Sequence, residues 1–313
     1  MKNVWVIGGA GFIGSRIAFA FQQQGDHVVI LDGFLPQTGA SLNNLECFHG
    51  ELIKQCIEDF QDFQALQKAD VIVDAMAWTS HIAAMQDPFY DLQLNAASHL
   101  FLLQGLDSGI ESKIIYLGSR GQYGKECEQP ITENGKMFPD DIQGIHKTAA
   151  DSYFRIFAKK KKLRVACLRF PNCYGIGQKV TGDDIGLIGS FIRDAIAGRE
   201  IEVFSANRYR SIIYADDVSK VVVLLANVAL ERYSDFNMAG THISILALVS
   251  KIIGFAGSGR YTIVEMPENM RNIDMGDAPV DEQKLRKLIP FPNYRPVDET
   301  IKLTVDYFKE FCL

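Results

Sequence analysis

The sequence has little of what marks several protein classes, and each absence excludes one of them. Its six cysteines are scattered, none forms a Cys-x-x-Cys pair, and Cys167 with Cys173 has no nearby histidine at metal-ligand spacing. We therefore expect reduced thiols and no metal site. No apolar run approaches the length of a membrane span, and no charged-then-apolar leader precedes the first strand pattern. The sequence predicts a cytoplasmic protein with no membrane partner.

Clustered positive charge is also scarce. The formal net charge is −6, and the one basic run, Lys159 to Lys162 with Arg164, falls between a helical and a strand pattern. Basic residues at a helix end are favoured by the helix dipole, so this run needs no polyanionic ligand. The sequence therefore gives no indication of a nucleic-acid partner.

Short apolar runs alternate with amphipathic helical patterns in the first half of the chain. The strand patterns cover residues 4–7, 27–31, 71–77, 113–119 and 164–170. The helical patterns cover residues 14–24, 56–68, 89–107 and 144–160. This alternation is typical of βαβ units, and it predicts an α/β fold with a doubly wound parallel sheet of the Rossmann type.

The pattern changes near residue 171, where glycine, proline and asparagine become frequent. Helical patterns continue at residues 186–197, 216–230, 244–253, 281–289 and 298–311. We expect a cofactor domain at 1–170 and a smaller substrate lobe at 171–313, which is partly interleaved because some of its segments return to the sheet.

The stretch "VIGGAGFIGSRIAFAFQ" places Gly8, Gly11 and Gly14 between the first strand and the first helix. Glycines at this spacing allow a tight turn, a close approach of backbone to a pyrophosphate and close helix packing, and the helix amino end favours phosphate. Asp32 ends the second strand and can accept the ribose hydroxyls. Its charge would repel a 2′-phosphate, so the predicted cofactor is NAD.

These motifs and several later ones resemble the extended short-chain dehydrogenase/reductase family, in particular its NAD-dependent nucleotide-sugar epimerases and dehydratases. "GGAGFIG" matches the cofactor loop, which adds Phe12 and Ile13 to the implied contacts. "GEL" stands where the family has an acidic adenine contact, which implies Glu51 and Leu52. "AMAWTSHIAAMQDP" resembles the stretch that lines the nicotinamide and the sugar, and it supplies Ala75, Ala77, Thr79, Ser80 and His81.

The resemblance also implies catalytic and substrate residues. "LGSRGQYG" places Ser119 at the family's catalytic Ser/Thr, and "LRFPNCYGIGQ" places Asn172 where the family meets the sugar nucleotide. "RYRSIIYADDVSK" implies that Arg210 faces the diphosphate, and Arg271 falls on a second diphosphate-binding arginine. Planar guanidinium groups suit a diphosphate because they bond its oxygens bidentately.

The chain departs from the family in "QGIHK". The family's Tyr-x-x-x-Lys would place tyrosine at 143, but this sequence has Gln143, followed one turn later by Lys147. An amide has no proton to exchange near neutral pH. We therefore consider Ser119 with water, Lys147 and His81 as alternative proton carriers. His146 is interpreted as a surface or packing residue, since neighbouring helical residues such as His146 and Lys147 point about 100° apart. Tyr123 is interpreted as a packing residue because it stands in a Tyr-Gly turn.

Two functions follow from this pattern. The first is NAD-dependent modification of a nucleotide-diphosphate sugar (epimerase, dehydratase or oxidoreductase) with an altered proton-transfer site. Dehydratases carry an Asp-Glu pair after the catalytic Ser/Thr, whereas this chain has Arg120 and Gly121. The alternative is a catalytically weakened binding protein that acts as a sensor or partner subunit. The resemblance also implies a homodimer that pairs through helices at 89–107 and 144–160.

Overall fold

A computed structural model gives the structure of the protein at residues 1–179, 181, 185–268, 276, 278–290 and 293–312. Its twelve strands in that part of the chain are β1 (Asn3–Ile7), β2 (His27–Asp32), β3 (Glu51–Lys54), β4 (Val71–Asp74), β5 (Lys113–Ser119), β6 (Arg164–Phe170), β7 (Asn172–Tyr174), β8 (Glu200–Phe204), β9 (Tyr209–Tyr214), β10 (Tyr233–Asn237), β11 (Thr241–Ser244) and β12 (Arg260–Val264).

The helices of the described residues lie between these strands. They are α1 (Phe12–Gln23), α2 (Phe63–Leu66), α3 (His81–Gln86), α4 (Pro88–Leu92), α5 (Ser98–Gly105), α6 (Ile142–Lys160), α7 (Gly186–Ile196), α8 (Ala215–Asn227), α9 (Ile245–Ala256), α10 (Gln283–Leu288) and α11 (Val297–Cys312). A π-helical turn, Gln93–Ala97, joins α4 to α5, and a 3₁₀ turn, Arg120–Tyr123, follows β5.

Seven parallel strands form the central sheet, in the order β10-β6-β5-β4-β1-β2-β3. Alternate residues of β1 face opposite sides: Val4 and Val6 enter one buried cluster with α1 and α8, whereas Trp5 and Ile7 enter another with α5 and α6. A sheet covered by helices on both faces confirms the predicted Rossmann-type α/β fold.

A second, smaller group of elements follows β6. It contains a three-stranded sheet (β11-β9-β7) and a two-stranded parallel sheet (β12-β8), with a third core formed mainly by α7, α9 and α11. The strand β10 also lies beyond residue 171, and it pairs with β6 in the central sheet. The domain boundary at 170/171 stays a prediction, since α8 packs on α1 in the same core as the central strands.

The helical pattern predicted at 56–68 is wrong over most of its length. Only Phe63–Leu66 is helical, with Asp62 as its cap, and residues 56–62 form a turn and a loop after the end of β3. The long helix predicted at 89–107 is interrupted by the π-helical turn that contains the buried Asn95. Periodicity alone cannot distinguish such short elements from one continuous helix.

Candidate active site

The turn between β1 and α1 leaves no room for side chains at two of its glycines. Gly8 has a φ of +77°, and a Cβ there would lie 2.9 Å from the backbone of Ala75. A Cβ at Gly14 would lie 2.2 Å from the carbonyl oxygen of Gly8. Helix α1 begins at Phe12, and no side chain caps it at Gly11. The turn therefore has the shape and the dipole that the diphosphate of a dinucleotide requires.

Asp32 ends β2 beside this turn and is 8% exposed. Its carboxylate accepts the N–H groups of Ala10 at 2.9 Å and Phe34 at 2.8 Å. Burial raises the pKa of Asp32, and these two hydrogen bonds act against that rise. A carboxylate offers about four lone-pair positions, so Asp32 can still accept ribose hydroxyls. The predicted ribose contact fits this geometry.

The structure corrects the predicted adenine contacts. Glu51 and Leu52 begin β3, where they pair with Val29 and Ile30, and neither lines the cavity described below. Ligands of such sheets bind at the carboxyl ends of the strands, and these two residues lie at the other end of β3. The residues that line the cavity follow the strand, at 55–58. The motif "GEL" misled because its glycine precedes the strand instead of following it.

The loop after β4 forms one wall of the cavity, and its lining residues include Ala75, Ala77 and Thr79. The intervening Trp78 is fixed through its backbone, since its N–H donates to Asn95 Oδ1 at 3.1 Å and its carbonyl accepts Asn95 Nδ2 at 2.8 Å. Ser80 does not line the cavity: the residue is buried, and its hydroxyl caps α3 by accepting the N–H of Ala83, so its substrate contact stays a prediction.

Ser119 ends β5 and lines the cavity. Its hydroxyl accepts the N–H of Gly121 at 3.0 Å, and its own N–H donates to Gln122 Oε1 at 2.8 Å. Gln122 Nε2 in turn donates to Asp151 Oδ2 at 2.8 Å. This buried anchor fixes Ser119, and the sequence motif gave no indication of it because Asp151 lies far along the chain.

Gln143 and Lys147 line the cavity one turn apart on α6. Lys147 Nζ lies 3.4 Å from the carbonyl oxygen of Met76 and 3.3 Å from that of Leu117. Burial lowers the pKa of Lys147 to about 8, although Asp74 acts in the opposite direction. Gln143 Nε2 donates to the carbonyl of Trp78 at 2.9 Å, so this amide holds the loop after β4 against α6.

His81 also lines the cavity, and its Nδ1 lies 2.6 Å from Oδ2 of Asp141. Asp141 is the cap of α6, where its Oδ1 accepts the N–H of Gly144 at 2.7 Å. The sequence analysis missed Asp141, although an aspartate directly before a helical pattern is a recognised cap signal. His146, in contrast, pairs with the buried Asp91 at 2.6 Å and does not line the cavity.

The predicted substrate residues are only partly brought together. Asn172 begins β7 and lines the cavity. Arg210 lies on β9 outside the cavity lining, and its Nη1 donates to the carbonyls of Tyr209 at 2.8 Å and Gly276 at 3.1 Å. Arg271 lies outside the described residues. The diphosphate roles of both arginines stay predictions.

Tyr123 is a buried structural residue. Its hydroxyl accepts Arg169 Nη1 at 2.7 Å and donates to Asn237 Oδ1 at 2.8 Å. Burial raises the pKa of Tyr123 to about 12, against the effect of Arg169. Because the phenol is 1% exposed and outside the cavity lining, it is not available to a substrate.

These elements enclose a cavity of about 600 Å³ at the carboxyl edge of the central sheet. It runs from the glycine turn and Asp32 to Ser119, Lys147 and Asn172, so these predicted cofactor and substrate residues share one space. Sequence reasoning also missed Gln178, which lines this cavity and donates from Nε2 to the carbonyl of Ile185 at 2.6 Å.

The described ranges contain neither a cluster of metal-ligating side chains nor a helix suited to span a membrane. No group of three or more His, Cys, Asp or Glu side chains there could hold a metal ion. None of the helices in the same ranges combines the length and the apolar composition needed to cross a membrane. Cys47, Cys56, Cys127, Cys167 and Cys173 are free thiols.

Comparison with known proteins gives relatives along nearly the whole chain. A putative UDP-glucose 4-epimerase of Methanocaldococcus jannaschii is 25% identical over 261 residues, which cover 82% of this chain and 85% of that protein. The CDP-paratose 2-epimerase of Salmonella typhi is 25% identical over 321 residues, with 91% and 89% covered.

A solved structure is similar over 99% of both chains, with a TM-score of 0.88 and 24% identity. It is the UDP-N-acetylglucosamine 4-epimerase from Methanobrevibacter ruminantium M1 in complex with UDP-N-acetylmuramic acid. At this identity the likeness shows the fold. A family model described as the NAD dependent epimerase/dehydratase family matches residues 4–239, well over half of the 313 residues. The chain therefore belongs to the NAD dependent epimerase/dehydratase family, and NAD is its cofactor.

Proposed function

We propose that this enzyme interconverts epimers of a nucleotide-diphosphate sugar by transient oxidation of one sugar carbon. The observation that carries the proposal is the single cavity that joins the glycine turn and Asp32 to Ser119, Lys147 and Asn172. A dinucleotide at the turn and a sugar nucleotide at Asn172 would meet in this space. The relatives described above are named for UDP- and CDP-activated sugars, which supports this substrate class.

When bound, NAD supplies a reversible acceptor for the hydride that leaves the sugar carbon. The chain's own residues position the two molecules. Lys147 stands between the carbonyls of Met76 and Leu117 as a hydrogen-bond donor, and we assign it to the ribose next to the nicotinamide. Ser119 Oγ already accepts the N–H of Gly121, so its own O–H can donate to the sugar oxygen.

The residue after Ser119 favours epimerisation over dehydration. Arg120 is 7% exposed and lines the cavity at the position where the related dehydratases carry an acidic residue. Elimination of water needs a group that removes a proton from carbon, and a guanidinium cannot be deprotonated in a protein. A cation at this position can instead bind polar substituents of the sugar.

The experiment is a panel of UDP-glucose, UDP-N-acetylglucosamine and CDP-paratose incubated with the NAD-loaded protein. We expect at least one compound to yield its epimer, detected by proton NMR, without net production of NADH. Protein in which Gly14→Ala disrupts the cofactor turn serves as the control, and at the same NAD concentration it should yield much less product. Tight binding of the panel compounds without any product would instead favour the sensor or partner-subunit function.

We also propose a homodimer formed through α4, α5 and α6. Large apolar side chains on these helices are exposed, among them Phe89 at 81%, Phe101 at 46% and Ile156 at 54%. Such a patch is typical of a protein interface. Analytical ultracentrifugation should give a dimer for the wild type and a monomer for Phe101→Glu; a wild-type monomer would contradict the proposal.

The predicted cytoplasmic location is supported by the free thiols.

A further inference from the structure

His81 and Asp141 form a fixed pair at the wall of the cavity. His81 begins α3, and Asp141 is the residue before α6, 60 positions later in the chain. The imidazole Nδ1 lies 2.6 Å from Asp141 Oδ2, and the other carboxylate oxygen accepts the N–H of Gly144 at 2.7 Å. The carboxylate is therefore held at both oxygens, while 36% of the His81 side chain is exposed.

We propose that His81 takes and returns the proton of the sugar hydroxyl in place of the missing tyrosine, with Asp141 as the residue that positions it. This inference rests on the proposed function, because it assigns a role in the same oxidation. An ionised carboxylate only accepts hydrogen bonds, so Asp141 requires a proton on Nδ1. The nitrogen that gains and loses a proton is then Nε2.

None of the tyrosines that the structure describes takes the place of a tyrosine at position 143 in the cavity. All eleven tyrosines of the chain belong to the described residues, and none of them lines the cavity. The six histidines are all described as well, and His81 is the one that lines it. His99 is fully buried against Asp74, and His146 pairs with Asp91 away from the cavity.

Lys147 is another titratable group that lines the cavity, and its surroundings favour a different role. Its Nζ donates toward two backbone carbonyls and lies 5.2 Å from the centre of the Tyr116 ring. Carbonyl oxygens and the face of an aromatic ring both attract a cation. Loss of the proton from Lys147 would weaken these contacts, whereas a histidine paired with a carboxylate can cycle between two protonation states.

The proton transfer is balanced as follows. As the sugar carbon gives up its hydride, the hydroxyl O–H bond breaks, its proton binds Nε2 of His81, and the freed electron pair forms the carbonyl bond. When the hydride returns to the opposite face, His81 returns the proton to oxygen. Asp141 stays ionised throughout: burial raises its pKa, but the hydrogen bond and charge of His81 and the Gly144 N–H lower it below its usual value.

The first test needs neither NAD nor a sugar. The nitrogen NMR spectrum of histidine-labelled protein reports which ring nitrogen carries the proton, and His81→Gln assigns the signal. We expect the neutral His81 ring to be protonated at Nδ1 in the wild type and to lose that preference in Asp141→Asn. Protonation at Nε2 in the neutral wild-type ring would overturn the proposal.

The second test measures single-turnover hydride transfer with the panel compound that the wild type converts. We expect His81→Gln to lower this rate by about 10²–10⁴-fold, with calorimetric sugar affinity changed by less than about threefold. His146→Gln is the matched control, since it removes an equivalent histidine–aspartate pair outside the cavity, and its rate should stay near that of the wild type. Equal rates for His81→Gln and the wild type would overturn the inference while leaving the proposed function intact.

The third test is rescue. Residue 143 lies one helical turn before Lys147 and lines the cavity, so a phenol placed there should restore a proton carrier. We expect the double variant, with both Gln143→Tyr and His81→Gln, to transfer hydride at least about tenfold faster than His81→Gln alone. If His81→Gln instead loses sugar affinity and the double variant recovers no rate, His81 binds the sugar without carrying its proton. If no panel compound reacts with the wild type, the proposed function fails, and this inference with it.

Discussion

Two edges of the cavity are built by different kinds of contact. We call them the cofactor edge, at Gly14 and Asp32, and the proton-transfer edge, at Gln143 and Asp141. At the cofactor edge, Gly14 closes on Gly8 and Asp32 binds the N–H of Ala10, so the partners lie within about one βα unit of each other. At the proton-transfer edge, Gln143 binds Trp78 and Asp141 binds His81 across 60 or more positions. A local spacing constrains the first edge, whereas only the tertiary fold assembles the second.

The largest effect on NAD binding is expected at the cofactor edge, from Gly14→Ala. The added Cβ would lie 2.2 Å from the Gly8 carbonyl oxygen, so the turn must open. Overpacking of this kind costs roughly 1–3 kcal/mol, which corresponds to a loss of NAD affinity of about 5- to 150-fold in calorimetry.

Gly254→Ala is the matched control for that variant. Gly254 lies within α9 with open space around its Cβ position. We expect unchanged NAD affinity and a free energy of unfolding raised by about 0.5–1 kcal/mol. If Gly14→Ala bound NAD as tightly as Gly254→Ala, the proposed cofactor turn would be wrong.

A smaller effect is expected at Lys147, which lines the cavity one turn after Gln143. Burial lowers its folded-state pKa to about 8, below the ordinary value of 10.5. Below pH 8 both states are protonated, and above it only the unfolded chain keeps the proton, so rising pH favours the folded protein. Between pH 8 and 10.5, urea unfolding should show the wild type gaining on the order of 2 kcal/mol relative to Lys147→Met. A constant difference in the free energy of unfolding across that range would mean that burial does not lower the pKa of Lys147.

The smallest effect is expected at Glu51, which lies away from the cavity. Glu51→Gln should leave the Kd for NAD within about twofold of the wild type.

Saturation with NAD should instead slow alkylation of the Cys56 thiol, because Cys56 lines the cavity, but not that of the exposed Cys47. Equal alkylation of Cys56 with and without NAD would contradict the corrected position of the adenine contact.

The sequence predicted the cofactor edge well because its constraints are local. Gly8, Gly14 and Asp32 follow from strand, turn and helix signals within about 25 residues. The adenine contact failed because Glu51 and Leu52 of "GEL" begin a strand that is too short to leave a periodic signal. The His81–Asp141 pair could not be predicted, since nothing in either local stretch indicates the other partner. Loop contacts of this kind depend on how α3 and α6 pack.

We propose that hydride transfer takes place at the cofactor edge while residue 81, and not residue 143, carries the proton. The most direct measurement compares Gln143→Ala with His81→Gln in stopped-flow absorbance of reduced nicotinamide after mixing with the converted sugar nucleotide. We predict that Gln143→Ala slows the transfer by less than about tenfold, because it loses one hydrogen bond to Trp78, and that His81→Gln slows it by at least about 10²-fold. The reverse order of the two rates would contradict the role of His81 as the proton carrier.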